Sequence, residues 1–246
     1  MNTDGIFGKQ TDKSVRHFQK KYDLVVDGIV GTKTWIKLNS VAPDEIKKAA
    51  RKFLSEKDLL NLAKDLKVEV AAVKAVYKVE SSGRGFLTSG KPKILFEGHI
   101  FWRRLKKHGL DPSVYKKRNE DILYSKWTTK YYKGGEKEYE RLTKAKKIHV
   151  SAALESASWG IFQIMGYHYK KVGYNSVEDY VKAMNKSERF HLMTFGKFIK
   201  SEGLVQYLKN KEWARFARGY NGPAYKKNKY DKKIAAAYKK YHSHSV

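Results

Sequence analysis

The chain has 246 residues, and its 52 Lys and Arg against 25 Asp and Glu give a formal net charge of +27. It has no Cys, which excludes disulfides, cysteine zinc sites and thiol nucleophiles, and no apolar run of about 18 residues that could span a bilayer. The first ten residues lack the pattern of a secretory signal. Composition therefore indicates a folded, basic protein that binds a polyanion, with nucleic acid as the first hypothesis and anionic envelope polymers as the second.

The positive charge is unevenly distributed along the chain. Residues 1–40 hold seven Lys or Arg and four Asp, a net charge of +3, so the other 206 residues carry +24. Together with the break at Ser40–Pro43, this asymmetry predicts a domain boundary near residues 40–45. We expect a small module over residues 1–40, a linker or helix over 41–54 that includes a basic amphipathic helix from Glu45 to Leu54, and a large domain over 55–246.

An internal repeat marks the small module. Residues 4–11 (DGIFGKQT) and 27–34 (DGIVGTKT) match at Asp, both Gly, Ile and Thr. Asp-Gly favours a tight turn, the second Gly relieves a strained position, and Thr caps the helix that follows. Each copy is thus predicted to lead into a helix, the second shorter than the first, with these apolar residues on their faces: Val15, Phe18 and Tyr22, then Trp35, Ile36 and Leu38.

The sequence of this repeat resembles that of the small three-helix peptidoglycan-binding domain of bacterial and phage wall hydrolases. The resemblance covers about residues 1–39 and implies peptidoglycan as a partner. Members of that family begin with a helix before the first Asp-Gly, whereas only three residues precede Asp4 here. We therefore expect either an N-terminally truncated module or a true start that lies upstream of residue 1.

From Asp44 onward the pattern is mostly helical. Ser55 and Asp58 form a capping-box signature for a helix that runs to about Leu66. Residues 68–80 (VEVAAVKAVYKVE) form the most apolar predicted helix, and Glu80 ends its apolar face.

Burial beside apolar side chains raises the pKa of a carboxyl group, which is the property that a general acid needs at neutral pH. Glu80 is therefore a candidate acid; the alternative is a Glu at a helix end that reaches water or pairs with Arg84. We expect residues 81–86 to turn sharply after it and to form the edge of a groove.

Two later segments of the sequence bear on the role of Glu80. Residues 158–166 (SWGIFQIMG) are apolar around one amide, Gln163, which we expect to be buried, and residues 217–223 (ARGYNGP) end a helix with a polar turn. A helix ending in Glu-Ser, then a Gly-apolar-apolar-Gln-Ile segment, then Tyr-Asn-Gly resembles the goose-type lysozyme and lytic transglycosylase superfamily. Five segments in order, VESSGRGFL, KPKILFEGHIFWRRL, YERLTKA, ESASWGIFQIMGYHY and WARFARGYNGPAYKKNKYDKKIAAAY, resemble the N-acetylmuramidase domain of phage endolysins over about residues 60–241.

This resemblance implies a fold, a reaction and a site. The fold is mainly α, with a lysozyme-like, α-rich catalytic domain that contains a minor β element behind the small helical module. The reaction is hydrolysis of the β-1,4 bond between N-acetylmuramic acid and N-acetylglucosamine, with Glu80 as the catalytic acid. The cleft would include five further residues, namely Phe86, Ser158, Gln163, Tyr220 and Asn221.

Glycoside hydrolysis normally uses a second carboxyl group. The candidates are Glu97, which follows the β-like run Ile94–Phe96, and Glu155, which could position Ser158 or cap the segment after it. Both also fit a role as buried, hydrogen-bonded scaffold residues. If neither faces the sugar, Glu80 can act first as acid and then as base while the substrate's own C6 hydroxyl attacks, which makes a lytic transglycosylase with 1,6-anhydro products the alternative.

No cofactor is indicated by the remaining motifs. The eight His include no HExxH pair, so His99, His149, His168 and His191 are interpreted as core or surface residues and no metal is expected. Serine-hydrolase, NTPase and dinucleotide-binding motifs do not occur in context.

A non-enzymatic cationic binder of nucleic acid or envelope is the alternative from a different functional class. No nucleic-acid module is recognisable, so nucleic acid is not expected as a partner. We expect a monomer that accumulates in the host cytoplasm until lysis, acts on the periplasmic cell wall and is attracted by anionic envelope polymers. The Lys-rich helix predicted at about Lys229–His242 is a candidate for destabilising outer membranes.

Overall fold

The computed structural model describes residues 7–43, 52–80 and 85–243, and the chain divides into two compact units, Met1–Arg51 and Lys52–Val246. Most of the helix predicted over Glu45–Leu54 lies outside the described residues, and residues 52–54 are not helical. Residues 81–84 of the predicted sharp turn also lie outside them.

Within residues 7–43, the described part of the first unit, two helices are joined by the second copy of the repeat. Helix α1 spans Lys9–Lys21 and helix α2 spans Thr32–Val41, so the second helix is the shorter one, as expected. The Asp-Gly turn is confirmed at Gly28, which has φ +74°, and a Cβ there would overlap the Asp12 carboxylate.

The predicted threonine caps are wrong. Each helix begins two residues before its Thr, with Gly8 and Gly31 at the N-cap positions and no side-chain cap at either. Gly31 has φ −79°, a value open to any residue, so the second glycine of this copy relieves no strain.

A buried glutamine holds the turn of the repeat against α1. Gln19 is only 1% exposed, and its Nε2 donates to Asp27 Oδ1 (2.8 Å), Ile29 O (3.0 Å) and Thr34 Oγ1 (3.2 Å). Its Oε1 accepts from Gly28 N (2.9 Å). Thr34 therefore serves as a partner of this amide, and Gln19 joins the second repeat to the first helix.

The second unit is mainly α, as the sequence predicts. It begins with helices α3 (Glu56–Leu66) and α4 (Val70–Glu80), and the capping box of Ser55 and Asp58 is confirmed at the start of α3. The remaining helices are α5 (Gly98–Lys107), α6 (Pro112–Lys116), α7 (Lys137–Lys146), α8 (Val150–Glu155), α9 (Val177–Lys186), α10 (Glu188–Ser201), α11 (Val205–Lys209), α12 (Trp213–Asn221) and α13 (Tyr230–His242). Two short 3-10 turns, Gly166–His168 and Pro223–Lys226, lie among them.

The minor β element is a three-stranded antiparallel sheet in the order β1 (Ile94–Phe96), β2 (Ala157–Trp159) and β3 (Ile164–Met165). Successive residues of a strand point to opposite faces, and directly paired residues share a face. The row Ile94, Trp159 and Ile164 is buried in the core, so the row Leu95, Ser158 and Met165 forms the other face.

The core of this unit consists of two apolar clusters. One packs the sheet against α5, α7, α8 and α9. The other joins α3, α4, α10, α12 and α13, and within it Ile234 of the C-terminal helix lies with Val73 and Val76 of α4. The C-terminal helix therefore packs on the helix that ends at Glu80. No helix among residues 7–43, 52–80 and 85–243 is long and apolar enough to cross a membrane.

Candidate active site

Glu80 is the last residue of α4, and the residues on the preceding turns of its face, Val73 and Val76, are buried. Burial raises the pKa of Glu80 to about 7. Asn221 Nδ2 donates a hydrogen bond to Glu80 Oε1 at 3.2 Å, which favours the charged form and partly opposes the effect of burial. Glu80 is thus divided between its acid and carboxylate forms near neutral pH.

A cavity of about 410 Å³ contains this carboxyl group. Its lining brings together four residues that the sequence assigns to the site, namely Glu80, Gln163, Tyr220 and Asn221. Among the residues that the structure describes, Glu80 is the only carboxylate in this lining. The other lining residues are Ile161, Phe162, Ile164, Met165, Tyr167, His168, Phe198 and Tyr230.

Ser158 and Gln163 lie on the β2–β3 hairpin beside the cavity. Ser158 Oγ donates to Gln163 Oε1 at 2.7 Å, and Gln163 Nε2 donates to Gly160 O at 2.7 Å. The expectation of a buried amide is wrong, because Gln163 is exposed in the hairpin loop at φ +48° while its neighbours Ile161 and Phe162 turn into the core. Ser158 fixes the orientation of the amide and is itself 5% exposed.

A buried histidine supports this hairpin from behind. His191 Nδ1 accepts from Ile161 N at 3.3 Å, and its Nε2 lies 2.7 Å from Met184 O, so the proton sits on Nε2. Burial lowers the pKa of His191 to about 4, which keeps the ring neutral. Gly160 has φ +73°, and a Cβ there would lie 2.7 Å from the ring of His191.

Two tyrosines complete the wall around Glu80. Tyr220 donates its hydroxyl to Phe162 O at 2.7 Å and stacks on Phe216 at a centroid distance of 5.7 Å. Burial raises the pKa of Tyr220 and of Tyr230, and the charge of Glu80 adds to both shifts, so both hydroxyls stay protonated at neutral pH.

Tyr230 was not among the residues predicted for the site, because it lies in the Lys-rich helix that was considered only for an effect on outer membranes. The spacing could have indicated it, because Tyr230 lies four residues before the buried Ile234 and so shares the buried face of that helix. Tyr167 and His168, in the turn after β3, were missed as well and also line the cavity.

Phe86 packs on His191, the residue behind the β2–β3 hairpin, and does not line the Glu80 cavity. It is 6% exposed, stacks on His191 at a centroid distance of 5.1 Å and lies under Lys52 Nζ at 4.1 Å. Next to it, Gly85 N donates to Glu188 Oε1 at 2.6 Å. These contacts anchor the chain that follows residue 84.

Glu97 occupies the N-cap position of α5, outside the Glu80 cavity lining. Its Oε2 accepts a hydrogen bond from Tyr132 at 2.5 Å and lies 3.2 Å from His99 Nδ1. Burial raises the pKa of Glu97, while the Tyr132 hydroxyl and Arg141 act in the opposite direction.

Glu155 is a buried member of an ion-pair network. Its side chain is 3% exposed, and its Oε2 contacts Arg104 Nε at 2.5 Å and His108 Nε2 at 3.0 Å. The hydroxyl of Ser158 donates to Gln163, whereas the partners of Glu155 are Arg104 of α5 and His108 at its C-cap. Among the described residues, no group of three or more His, Asp or Glu side chains is placed to hold a metal ion.

Comparison with known proteins places this geometry in a family. A family model described as N-acetylmuramidase matches residues 69–242, and a model for a peptidoglycan-binding domain matches residues 2–38. Among solved structures, the crystal structure of a Burkholderia AP3 phage endolysin is 40% identical, with a TM-score of 0.75 over 99% of this chain and 90% of that one. No match was found among curated proteins. The chain belongs to the N-acetylmuramidase family and has a peptidoglycan-binding domain ahead of its glycosidase domain.

Proposed function

We propose that the chain is a phage endolysin that hydrolyses the β-1,4 bond between N-acetylmuramic acid and N-acetylglucosamine, with Glu80 as the general acid. The observation that supports this most directly is the carboxyl group with a pKa of about 7 in a cavity of about 410 Å³. A general acid works best when its pKa lies near the working pH. The family match and the endolysin neighbour support the same reaction.

The chemistry begins with the protonated form of Glu80, which donates its proton to the oxygen of the scissile bond. Asn221 holds one oxygen of the carboxyl group and so fixes its orientation. The exposed amide of Gln163, oriented by Ser158, and the wall formed by Tyr220 bind the sugar. Phe86 supports that wall indirectly through His191, whose ring accepts a hydrogen bond from the hairpin backbone.

We propose that Glu80 also provides the base. Neither Glu97 nor Glu155 belongs to the described lining of its cavity, and both are engaged by other side chains. After it donates its proton, the Glu80 carboxylate can accept a proton from the attacking water. The same lone carboxylate favours a second candidate reaction, in which the C6 hydroxyl of the substrate attacks instead and a 1,6-anhydro end forms.

Mass spectrometry of digested, purified peptidoglycan tests the proposal. Hydrolysis predicts reducing N-acetylmuramic acid ends, whereas ends that are all 1,6-anhydro would replace the hydrolase assignment by the transglycosylase. Glu80→Gln should abolish product formation with the fold intact, because an amide has no acidic proton to donate. The matched control is Glu140→Gln, the same change at a carboxylate whose side chain is 67% exposed. Near-normal activity of folded Glu80→Gln would remove Glu80 from the mechanism.

The cell-biological part of the proposal follows from charge and domain content. We propose that the chain acts as a monomer, that it stays in the host cytoplasm until lysis and then reaches the periplasmic wall, and that its net charge of +27 attracts it to anionic envelope polymers. Loss of turbidity of outer-membrane-stripped cells separates this enzyme from a non-enzymatic cationic binder. Equal clearing by wild type and Glu80→Gln would favour the binder.

A further inference from the structure

The face of the sheet opposite the buried row extends away from the Glu80 cavity. Met165 lines that cavity, and it pairs with Ser158, which in turn pairs with Leu95. The three side chains therefore form one row on the face that lies opposite the buried row. Two strand spacings separate Met165 from Leu95, a distance of about 10 Å.

Glu97 continues this face beyond Leu95. It lies two residues after Leu95, and its backbone N–H donates to Ser156 O at 2.9 Å, which extends the pairing of β1 with the chain before β2. Residues two apart along a strand share a face. The carboxylate of Glu97 is thus placed on the same face as Ser158 and Met165, farther along it.

Aromatic side chains surround that carboxylate. Tyr132 donates its hydroxyl to Glu97 Oε2 at 2.5 Å. Burial raises the pKa of Tyr132, and Trp127, which lies beside it, acts in the opposite direction. The rings of Tyr124 and Tyr131 pack beside them with their centroids 5.3 Å apart. Trp127 is 65% exposed, so a broad apolar ring is presented to solvent next to the hydrogen-bonded pair of Tyr132 and Glu97.

We propose that Trp127, Tyr132 and Glu97 form a second saccharide-binding subsite, which holds N-acetylated sugars of the same glycan strand at a distance from the bond that Glu80 cleaves. This inference rests on the proposed function. Small-molecule sites combine an aromatic surface with a few placed polar groups, and this cluster has that composition. The indole packs against the apolar face of a sugar ring, while Glu97 and Tyr132 hydrogen-bond to its hydroxyl or amide groups.

The experiment measures binding without turnover. Full-length Glu80→Gln protein is titrated calorimetrically with the hexamer of N-acetylglucosamine, alone and with Trp127→Ala added. Loss of one stacked ring should raise the dissociation constant about tenfold. Trp127→Phe, which keeps a ring, should restore most of the affinity, and Val114→Ala, at a side chain that is 73% exposed, is the matched control. Equal affinity with and without Trp127, or the same loss in the control, would overturn the subsite.

Kinetics separate this proposal from the proposed function. In the otherwise wild-type chain, Trp127→Ala should affect mainly the KM for peptidoglycan, and the thermal unfolding midpoint should stay unchanged. If the wild type fails to cleave peptidoglycan, the proposed function fails, while the titration still reports on the subsite. If the wild type cleaves and Trp127→Ala has an unaltered KM, the subsite alone is refuted.

Discussion

The side-chain amide of Asn221 donates a hydrogen bond of 3.2 Å to the carboxyl group of Glu80, across 141 positions of sequence. This bond favours the carboxylate, whereas burial favours the acid, and the pKa of about 7 results from both. In Asn221→Ala, the pKa of Glu80 should therefore rise further. The alkaline limb of kcat/KM against pH should move to higher pH, with Asn210→Ala as the control at an exposed asparagine. A limb that stays in place or moves to lower pH would contradict this account.

The same raised pKa means that ionisation of Glu80 lowers the stability of the folded state. Its pKa is 4.5 in the unfolded reference and about 7 in the folded chain, so the folded state binds the proton more tightly. Stability is fully present below pH 4.5 and falls as pH rises towards 7, by about 3 kcal/mol at most. Glu80→Gln does not ionise and should escape this loss.

Urea unfolding at pH 4 and pH 8 measures the effect. Relative to wild type, Glu80→Gln should gain about 2–3 kcal/mol between the two pH values. Glu140→Gln, at an exposed carboxylate, should show no such gain. A stability difference between wild type and Glu80→Gln that is the same at both pH values would show that Glu80 has an ordinary pKa.

Glu155 should stabilise the fold and take no part in the reaction. Glu155→Ala leaves Arg104 and His108 without their carboxylate partner in a largely buried network, which costs about 3–5 kcal/mol. Glu155→Gln, assayed well below its unfolding temperature, should keep most of the wild-type kcat. Thermal unfolding and kcat are measured on the same samples. A fully stable but inactive Glu155→Gln would instead make Glu155 the second catalytic carboxylate.

The stability of the first unit, which contains the peptidoglycan-binding domain, should depend on Gln19. Gln19→Ala removes a buried amide that makes four hydrogen bonds, with Asp27, Gly28, Ile29 and Thr34, and takes from the buried N–H of Gly28 the acceptor Gln19 Oε1. Each lost bond costs about 1 kcal/mol or more, which is serious for a unit this small. We expect protease cleavage within residues 1–51 and weaker cosedimentation with insoluble peptidoglycan, while cleavage of short soluble fragments is retained. Gln10→Ala, at an exposed position, is the control.

Local features of the fold were predictable from the sequence. The capping box of Ser55 and Asp58 was predicted because both partners lie within one helical turn. The cap predicted at Thr34 was wrong because Gln19, 15 residues earlier, donates a hydrogen bond to the Thr34 hydroxyl. A local pattern cannot reveal that choice, since it depends on how α1 packs against the turn.

The candidate site was predictable where a motif identified it. Glu80, Gln163, Tyr220 and Asn221 were assigned from their segments and meet at one cavity. The apolar neighbours of Gln163 led to the wrong prediction that it is buried, because a residue in a hairpin loop can point outward between apolar neighbours. Tyr230 lies 150 positions after Glu80, and only the packing of α13 on α4 brings the two together.

That packing makes the environment of Glu80 depend on the C-terminal helix. Ile234 fills the core beside Val73 and Val76, and Tyr230 closes the cavity around Glu80. The surroundings that raise the pKa of Glu80 are therefore built from two helices far apart in sequence, α4 and α13. A variant cut before Tyr230 would keep Glu80 and lose α13, and with it part of the burial that raises the pKa of this carboxyl group.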